Sequence, residues 1–254
     1  MSENPATIVT GAGGGIGRAV CLRLATAGHA VVAADLDQAA GEETARLCRE
    51  AGAQAVFRRA DVADGAQMRA LVEFAAEQAG GLHGLVNNAG IEGVFASLAD
   101  YPEDVFDKVM RVNARSVFLG LKYALPVLLA AGAGAIVNVA STSAVRGRNK
   151  LAGYVASKHA VLGLTRVAAL EATGTRVRVN AVLPGPVTTR MTASLDEMVQ
   201  AAQAGGSGAG LGRAPGASYG RPEDIAGVVA FLMSDDAGHV NGAAWTVDAG
   251  TTVS

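Results

Sequence analysis

Short apolar runs alternate with longer amphipathic stretches along this chain. Ala6–Thr10 (ATIVT) and Ala30–Ala34 (AVVAA) have the length and composition of buried strands, whereas Gln38–Ala51 carries apolar residues at intervals of three and four, which is typical of a helix. Parallel strands need a long crossover connection, and a helix between successive strands supplies it. The alternation therefore predicts an α/β fold, a doubly wound parallel sheet of about seven strands with helices on both faces.

The same pattern gives approximate bounds for each element. The predicted strands are Ala6–Thr10, Ala30–Ala34, Ala55–Phe57, Gly84–Val86, Ala135–Val139, Val177–Val182 and Ala244–Val247. The predicted helices are Arg18–Ala27, Gln38–Ala51, Ala66–Ala79, Glu103–Ala131, Tyr154–Ala172 and Glu223–Met233. Because no linker interrupts the alternation, we predict a single domain over residues 1–254.

Composition and charge exclude several classes of protein. Hydrophobic residues make up 50% of the chain and charged residues 17%, which is the profile of a globular domain. The net charge of -2 predicts neither a nucleic-acid nor an anionic-membrane partner. The first residues lack a basic segment before a long apolar stretch, and no uninterrupted apolar run approaches membrane-spanning length. We therefore expect no signal peptide, no membrane span and a cytoplasmic location.

Neither the cysteines nor the histidines are spaced like metal ligands. Cys21 and Cys48 lie in helix-like segments without a metal-binding motif, and the four histidines are scattered along the chain. We predict reduced, buried thiols and no metal site.

A glycine-rich segment, TGAGGGIG at residues 10–17, directly follows the first predicted strand and opens a helix. Glycines at such a turn allow the backbone to approach a pyrophosphate, and the helix N-terminus offers free N–H groups with a partial positive charge. The position after the first strand of an alternating chain predicts a dinucleotide site. We expect its contacts from Gly11, Gly15, Ile16 and Gly17.

An aspartate ends the second predicted strand and bears on the choice of cofactor. Asp35 lies 18 residues beyond Gly17, where a carboxylate can accept hydrogen bonds from the adenosine ribose and repel a 2′-phosphate. No Arg or Lys occupies position 36 or the segment 12–16. We therefore predict NAD as the cofactor. Asp37 is the competing candidate, and we interpret it as a solvated helix start.

Tyr154 and Lys158 stand four residues apart in a segment without a helix breaker. On a helix this spacing places both side chains on one face. Lowering a phenol pKa from about 10 to about 7 requires roughly 4 kcal/mol. An ammonium group about 5 Å away contributes roughly 3 kcal/mol at an effective dielectric constant near 20. We therefore expect Lys158 to lower the pKa of Tyr154 and turn it into an acid/base.

With these two motifs in place, the chain resembles the short-chain dehydrogenase/reductase family, the branch with TGxxxGIG and YxxxK. The likeness covers essentially the whole chain. The motifs follow the family's order: TGAGGGIG at 10–17, Asp61-Val62 after the third strand, Asn87-Asn88-Ala89-Gly90 after the fourth, Asn113 in the long helix, Ser141, Tyr154 with Lys158, and Pro184-Gly185 after the sixth strand. The resemblance implies a Rossmann-like fold and a homotetramer with the helices Glu103–Ala131 and Tyr154–Ala172 at one interface.

The resemblance also implies catalytic roles for four residues. Tyr154 matches the catalytic acid/base, Ser141 matches the residue that hydrogen-bonds the substrate oxygen, and Lys158 matches the residue that binds the nicotinamide ribose and tunes the tyrosine. Asn113 matches the anchor of a water that relays protons to Lys158. Further implied cofactor contacts are Asp61, Val62, Asn88, Ala89, Gly90, Pro184, Gly185, Val187 and Thr188, the last at the nicotinamide carboxamide.

The substrate side is less regular in sequence. Besides Ser141 and Tyr154, we consider Glu92, Arg148, Gly185 and Met191 as substrate contacts. Arg146, Arg148, Asn149 and Lys150 could bind an acidic substrate, or they could form a solvated or intersubunit loop. We predict a substrate lid over residues 188–216, because Gln203–Gly216 is too rich in glycine to hold a stable helix.

These observations predict an NAD(H)-dependent oxidoreductase that interconverts a secondary alcohol and a ketone. Sequence segments such as NNAGIEG at 87–93 resemble those of the NAD-linked enzymes that act on cyclic alcohols and ketones. One alternative is an NADP-dependent 3-oxoacyl thioester reductase, against which Asp35 argues. A second, from another class, is a non-catalytic NAD(H)-binding regulator, which would have no reason to keep Ser141, Asn113, Tyr154 and Lys158 together.

Overall fold

The computed structural model of the chain describes residues 6–78, 81–204 and 219–253. Seven strands form one sheet: β1 Ala6–Thr10, β2 Ala30–Asp35, β3 Ala55–Arg59, β4 Leu82–Asn87, β5 Ala133–Val139, β6 Arg176–Pro184 and β7 Ala244–Val247. Their order is β3-β2-β1-β4-β5-β6-β7, and every neighbouring pair is parallel. The predicted sheet is confirmed, and each predicted strand lies within two residues of its observed bounds.

The helices cover both faces of this sheet. They are α1 Gly15–Thr26, α2 Gln38–Glu50, α3 Gly65–Gln78, α4 Glu103–Val109, α5 Ser116–Ala131, α6 Ala152–Glu171, α7 Arg190–Ala204 and α8 Pro222–Met233. A π-helical turn at Met110–Arg115 joins α4 to α5, so the predicted helix over 103–131 is continuous but irregular in the middle. The helix α7 was not predicted.

Alternating strand residues divide the core into two layers. Ile8 and Leu85 point into the layer shared with α3, α5 and α6, whereas their neighbours Val9 and Val86 point into the layer shared with α1 and α8. Both layers consist mainly of buried aliphatic side chains, which explains the continuous apolar runs in the sequence. The strand order reverses between β1 and β4, and a crevice opens there at the carboxyl ends of the strands.

One described helical segment, Glu103–Ala131, is long and apolar enough to cross a membrane by length and composition. Half of its most apolar window is buried inside the domain, where α5 packs against the sheet. The buried half of this segment faces the sheet, as in a core helix of a globular domain.

Candidate active site

A cavity of about 620 Å³ occupies the crevice at the carboxyl ends of the strands. It is large enough for a cofactor and a small substrate at one site. The predicted residues on its wall are Gly11, Gly15, Ile16, Asp35, Asp61, Val62, Asn88, Ala89, Gly90, Glu92, Ser141, Arg148, Tyr154, Lys158, Pro184, Gly185, Val187 and Met191. Of the predicted site residues, Gly17, Asn113 and Thr188 do not line it.

The glycine-rich turn leaves its backbone open to this cavity. Gly11 and Gly15 adopt positive φ angles of 64° and 51°, which favour glycine. A Cβ on Gly14 would meet only the Arg190 Nη2 atom within 4 Å, at 3.7 Å. The helix α1 begins at Gly15, so its first N–H groups have no acceptor within the helix. This open backbone fits the diphosphate of a dinucleotide.

Gly17 does not line the cavity; it allows the tight packing of the turn against the start of α1. A Cβ at this position would lie 2.0 Å from the Gly11 carbonyl oxygen, so no other residue fits. The buried Thr10 hydroxyl fixes the next segment, because it accepts hydrogen bonds from the backbone N–H of Asn88 at 2.9 Å and of Ala89 at 3.1 Å. Thr10 therefore ties the end of β1 to the segment after β4.

Asp35 lies at the cavity wall where β2 ends. Its Oδ2 accepts a hydrogen bond of 2.7 Å from the Gly13 backbone N–H, and its Oδ1 accepts one of 3.0 Å from Asp37 N–H. Asp37 is the N-cap of α2 and accepts from Ala40 N–H at 3.0 Å. The interpretation of Asp37 as a solvated helix start is thus confirmed, and of these two acids it is Asp35 that lines the cavity.

Tyr154 and Lys158 lie one turn apart on α6 and both face the cavity. The Lys158 Nζ atom is 5.7 Å from the centre of the Tyr154 ring and donates a hydrogen bond of 2.9 Å to the Val139 carbonyl oxygen. The Tyr154 side chain hydrogen-bonds to that of Ser141, which follows β5. The end of β5 and the start of α6 therefore bring these three side chains together.

Asn113 lies in the π-helical turn, one layer behind the cavity wall, and is buried. Its Oδ1 accepts from Ile91 N–H at 2.8 Å, while its Nδ2 donates to the Ile91 carbonyl at 2.9 Å and to Ser157 Oγ at 3.0 Å. Both Nδ2 protons are therefore used by protein atoms. A water at this residue would have to bind the second Oδ1 lone pair or the main-chain carbonyl.

The electrostatics of Tyr154 differ from the expectation. Burial raises the pKa of the Tyr154 phenol above its usual value, although the Ser141 hydrogen bond and the Arg148 charge lower it; the Glu92 charge raises it further. Burial also lowers the pKa of Lys158 to about 8. The expected lowering of the phenol pKa by Lys158 is thus wrong for the protein alone, because desolvation disfavours the charged form of both groups.

The segment after β6 departs from the predicted contacts. Thr188 is exposed, and its N–H donates to the Gly220 carbonyl at 2.9 Å, so the turn directs its side chain away from the cavity. Thr189 and Arg190 line the wall instead. The sequence carries no pattern that shows which of the two adjacent threonines after Pro184-Gly185 faces the cavity. Arg190 was missed because a single arginine does not form a recognisable binding motif.

Of the predicted lid over residues 188–216, the structure describes residues 188–204. Residues 190–204 form the helix α7, and Met191 lies on the cavity wall. Residues 205–216, which carry all six glycines of the predicted lid, lie outside the described residues.

The basic loop before α6 is divided between two environments. Arg146 and Arg148 line the cavity, whereas Asn149 and Lys150 do not. The Lys150 Nζ atom lies 5.3 Å from the centre of the Phe95 ring. Of the four polar residues considered for substrate binding, the two arginines therefore lie at the site.

Comparisons with known proteins agree with this geometry. A family model described as enoyl-(acyl carrier protein) reductase matches residues 11–252. Cyclohexanol dehydrogenase of Acinetobacter sp. (strain SE19) is 39% identical over 98% of this chain and 96% of the relative. Levodione reductase of Leifsonia aquatica is 37% identical over 96% of this chain and 92% of the relative.

Two solved structures are similar over nearly all of both chains. A crystal structure of levodione reductase has a TM-score of 0.89 at 35% identity, and it covers 98% of each chain. An actinorhodin polyketide ketoreductase with NADPH has a TM-score of 0.91 at 33% identity, covering 99% of this chain and 98% of the other. Together with the Ser141, Tyr154 and Lys158 geometry, these matches establish that the chain belongs to the short-chain dehydrogenase/reductase family of oxidoreductases.

Proposed function

We propose that this enzyme uses NAD(H) to interconvert a secondary alcohol and a ketone, with a cyclic alcohol or ketone as the substrate. The observation that carries the proposal is the position of Ser141, Tyr154 and Lys158 at one end of a cavity whose other end holds the glycine-rich turn and Asp35. A nicotinamide cofactor, when bound, supplies or accepts the hydride. The protein residues position the substrate oxygen and move its proton.

The proton chemistry follows from the polar contacts of Tyr154. In alcohol oxidation, its phenolate accepts the proton of the substrate hydroxyl, and in ketone reduction its phenol donates a proton to the forming alkoxide. Ser141 hydrogen-bonds the same oxygen and shares its developing charge. The Lys158 ammonium, 5.7 Å from the centre of the Tyr154 ring, favours the phenolate by charge attraction, but in the protein alone burial outweighs this and raises the phenol pKa. Asn113 links Ser157 of α6 to Ile91, which follows β4, and so fixes the position of α6 beside the cavity.

The choice of NAD over NADP rests on Asp35. Its carboxylate is placed to accept from ribose hydroxyls and would repel a 2′-phosphate. The glycine-rich turn and the N-terminus of α1 would hold the diphosphate, with Arg190 adding a positive charge above Gly14. An NADP-dependent reductase of a 3-oxoacyl thioester is the second candidate, because a similar solved structure contains NADPH.

The assembly and location are further proposals. We infer a homotetramer in which α5 and α6 pack against partner copies, and the exposed apolar side chains Phe118, Val167 and Leu170 on these helices support it. Mass photometry would distinguish it from a monomer or dimer. A cytoplasmic location suits Cys21 and Cys48, which are both free and buried.

The deciding experiment measures initial rates with a panel of cyclic and acyclic secondary alcohols, with NAD⁺ and NADP⁺ in parallel. We expect turnover of cyclic alcohols, with kcat/KM far higher for NAD⁺. A preference for NADP⁺ would refute the Asp35 argument and favour the thioester reductase. Cofactor binding without turnover of any alcohol or ketone would refute the proposed reaction.

A further inference from the structure

Two arginines lie at the substrate end of the cavity without a role in the proposed redox chemistry. Arg146 and Arg148 belong to the loop between β5 and α6, and both line the wall together with Tyr154. The Arg146 Nη1 atom donates a hydrogen bond of 2.6 Å to the Thr251 carbonyl. Its Nε is buried and has no hydrogen-bond partner among the described residues. A buried guanidinium N–H without an acceptor is costly, which indicates a missing hydrogen-bond acceptor in the cavity.

The charges around Arg148 also favour an anion at this position. Burial and the like charge of Arg146 lower the pKa of Arg148, while Tyr154 raises it. The two guanidinium groups are therefore close enough to repel each other in a partly desolvated place. Two like charges near a cavity wall create a region of positive potential that favours the binding of an anion.

Other charges at the wall do not cancel this pair. The acids that line this end are Glu92 and Asp196, against the cationic side chains of Arg146, Arg148 and Lys158, so a net positive charge remains. The cofactor's own anionic group belongs at the opposite end, where Gly14 and Arg190 lie. An oxyanion beside Arg146 and Arg148 would therefore come from the substrate.

We propose that the substrate carries a carboxylate remote from its reacting carbon, and that Arg146 and Arg148 bind this group. The inference rests on the proposed function, since it names the substrate class of the same site. An arginine pair binds a carboxylate through several parallel N–H···O bonds, which also fixes the orientation of the reacting carbon toward Tyr154.

The test compares a charged substrate with its neutral analogue. Initial rates are measured for 4-oxocyclohexanecarboxylate and its methyl ester with NADH. We expect the wild-type enzyme to have a kcat/KM about 10- to 100-fold higher for the acid, and Arg148→Gln to bring this ratio close to one. Arg148 also affects the pKa of Tyr154, but both substrates use that tyrosine, so the ratio at one pH removes the effect.

Two further variants separate local binding from general electrostatics. Lys150→Asn removes a charge from the same loop but not from the cavity wall, and Asn tolerates the positive φ of 63° at this position, so we expect an unchanged ratio. Arg148→Lys keeps the charge without the planar fork, and we expect an intermediate ratio. An equal fall of the ratio in Lys150→Asn and Arg148→Gln would overturn the proposal.

A binding measurement decides the matter without turnover. Calorimetry compares cyclohexanecarboxylate with cyclohexanecarboxamide on the enzyme saturated with NAD⁺. Tighter binding of the carboxylate, lost in Arg148→Gln, would support the proposal even if neither ketone is reduced, in which case the proposed reaction alone fails. Equal binding of acid and amide, or equal turnover of acid and ester, would overturn the carboxylate site and leave the proposed reaction intact.

Discussion

The two ends of the cavity are built from different parts of the chain. The cofactor end consists mainly of backbone at the ends of β1, β2 and β4, joined by short turns and fixed by Thr10 and Asp35. The substrate end consists of side chains from the loop before α6, from the first turns of α6 and from α7. A backbone site depends on local geometry, whereas a side-chain site depends on which way each residue of a longer segment turns. The cofactor end is therefore common to chains with this type of turn, whereas the substrate end is specific to this chain.

The largest expected effect is at the substrate end. Tyr154→Phe removes the proton donor and acceptor but keeps the ring, so we expect kcat to fall about 10³-fold or more. NADH affinity, measured by fluorescence titration, should stay close to the wild-type value, because the backbone of the cofactor end is unchanged. Substantial turnover in this variant would contradict the assignment of Tyr154.

The cofactor end is tested most sharply at Asp35. In Asp35→Ser the carboxylate that repels a 2′-phosphate is absent, and we expect the ratio of kcat/KM for NAD⁺ over NADP⁺ to fall about 100-fold, since charge repulsion at close range costs several kcal/mol. Asp37→Ser is the matched control: it keeps an N-cap on α2 and should leave the ratio unchanged. If the ratio fell more in Asp37→Ser than in Asp35→Ser, the cofactor preference would be due to Asp37.

Lys158 should show a conflict between stability and activity. Its folded pKa of about 8 lies below the ordinary 10.5, so its charge destabilises the fold fully below pH 8, and this cost disappears as the pH rises to 10.5. We expect Lys158→Met to be inactive but about 1–3 kcal/mol more stable at pH 7. Urea unfolding at pH 7 and pH 10 should show the gain shrinking; a gain that grows with pH would refute the argument.

Arg190 breaks the simple division between the two ends. It belongs to α7, yet its guanidinium lies above Gly14 at the cofactor end. We expect Arg190→Gln to raise the Kd of NADH and the Ki of ADP about 5- to 10-fold, and to leave the Ki of adenosine unchanged, because only the former two carry a diphosphate. Arg23→Gln, an exposed arginine in the last turn of α1, is the control. An equal loss for adenosine would exclude a phosphate contact.

The smallest effect concerns the pH profile. The Glu92 charge raises the pKa of Tyr154 and the Arg148 charge lowers it. For alcohol oxidation, which needs the phenolate, Glu92→Gln should move the rising limb of kcat/KM to lower pH, and Arg148→Gln should move it to higher pH. Shifts in the same direction for both variants would show that neither charge acts on the tyrosine.

Particular residues show where sequence reasoning failed. Thr188 and Thr189 are chemically identical neighbours, and the Gly220 contact that turns Thr188 away joins segments over 30 positions apart. The rise in the pKa of Tyr154 depends on burial beneath distant elements. The helix α7 was not predicted, because the glycine-rich residues after position 203 led to the prediction of a loop over the whole segment 188–216.

The sequence alone determined the alternation of strands and helices, the glycine-rich turn, the acid after β2 and the Tyr154–Lys158 pair. These features are local: they depend on periodicity, on glycine's access to positive φ and on helical spacing. Only the tertiary structure decided which loop side chains face the cavity, how desolvation shifts Tyr154 and Lys158, and that Arg146 and Arg148 stand together at the substrate end. Burial and proximity arise between segments far apart in the chain, so no local pattern encodes them.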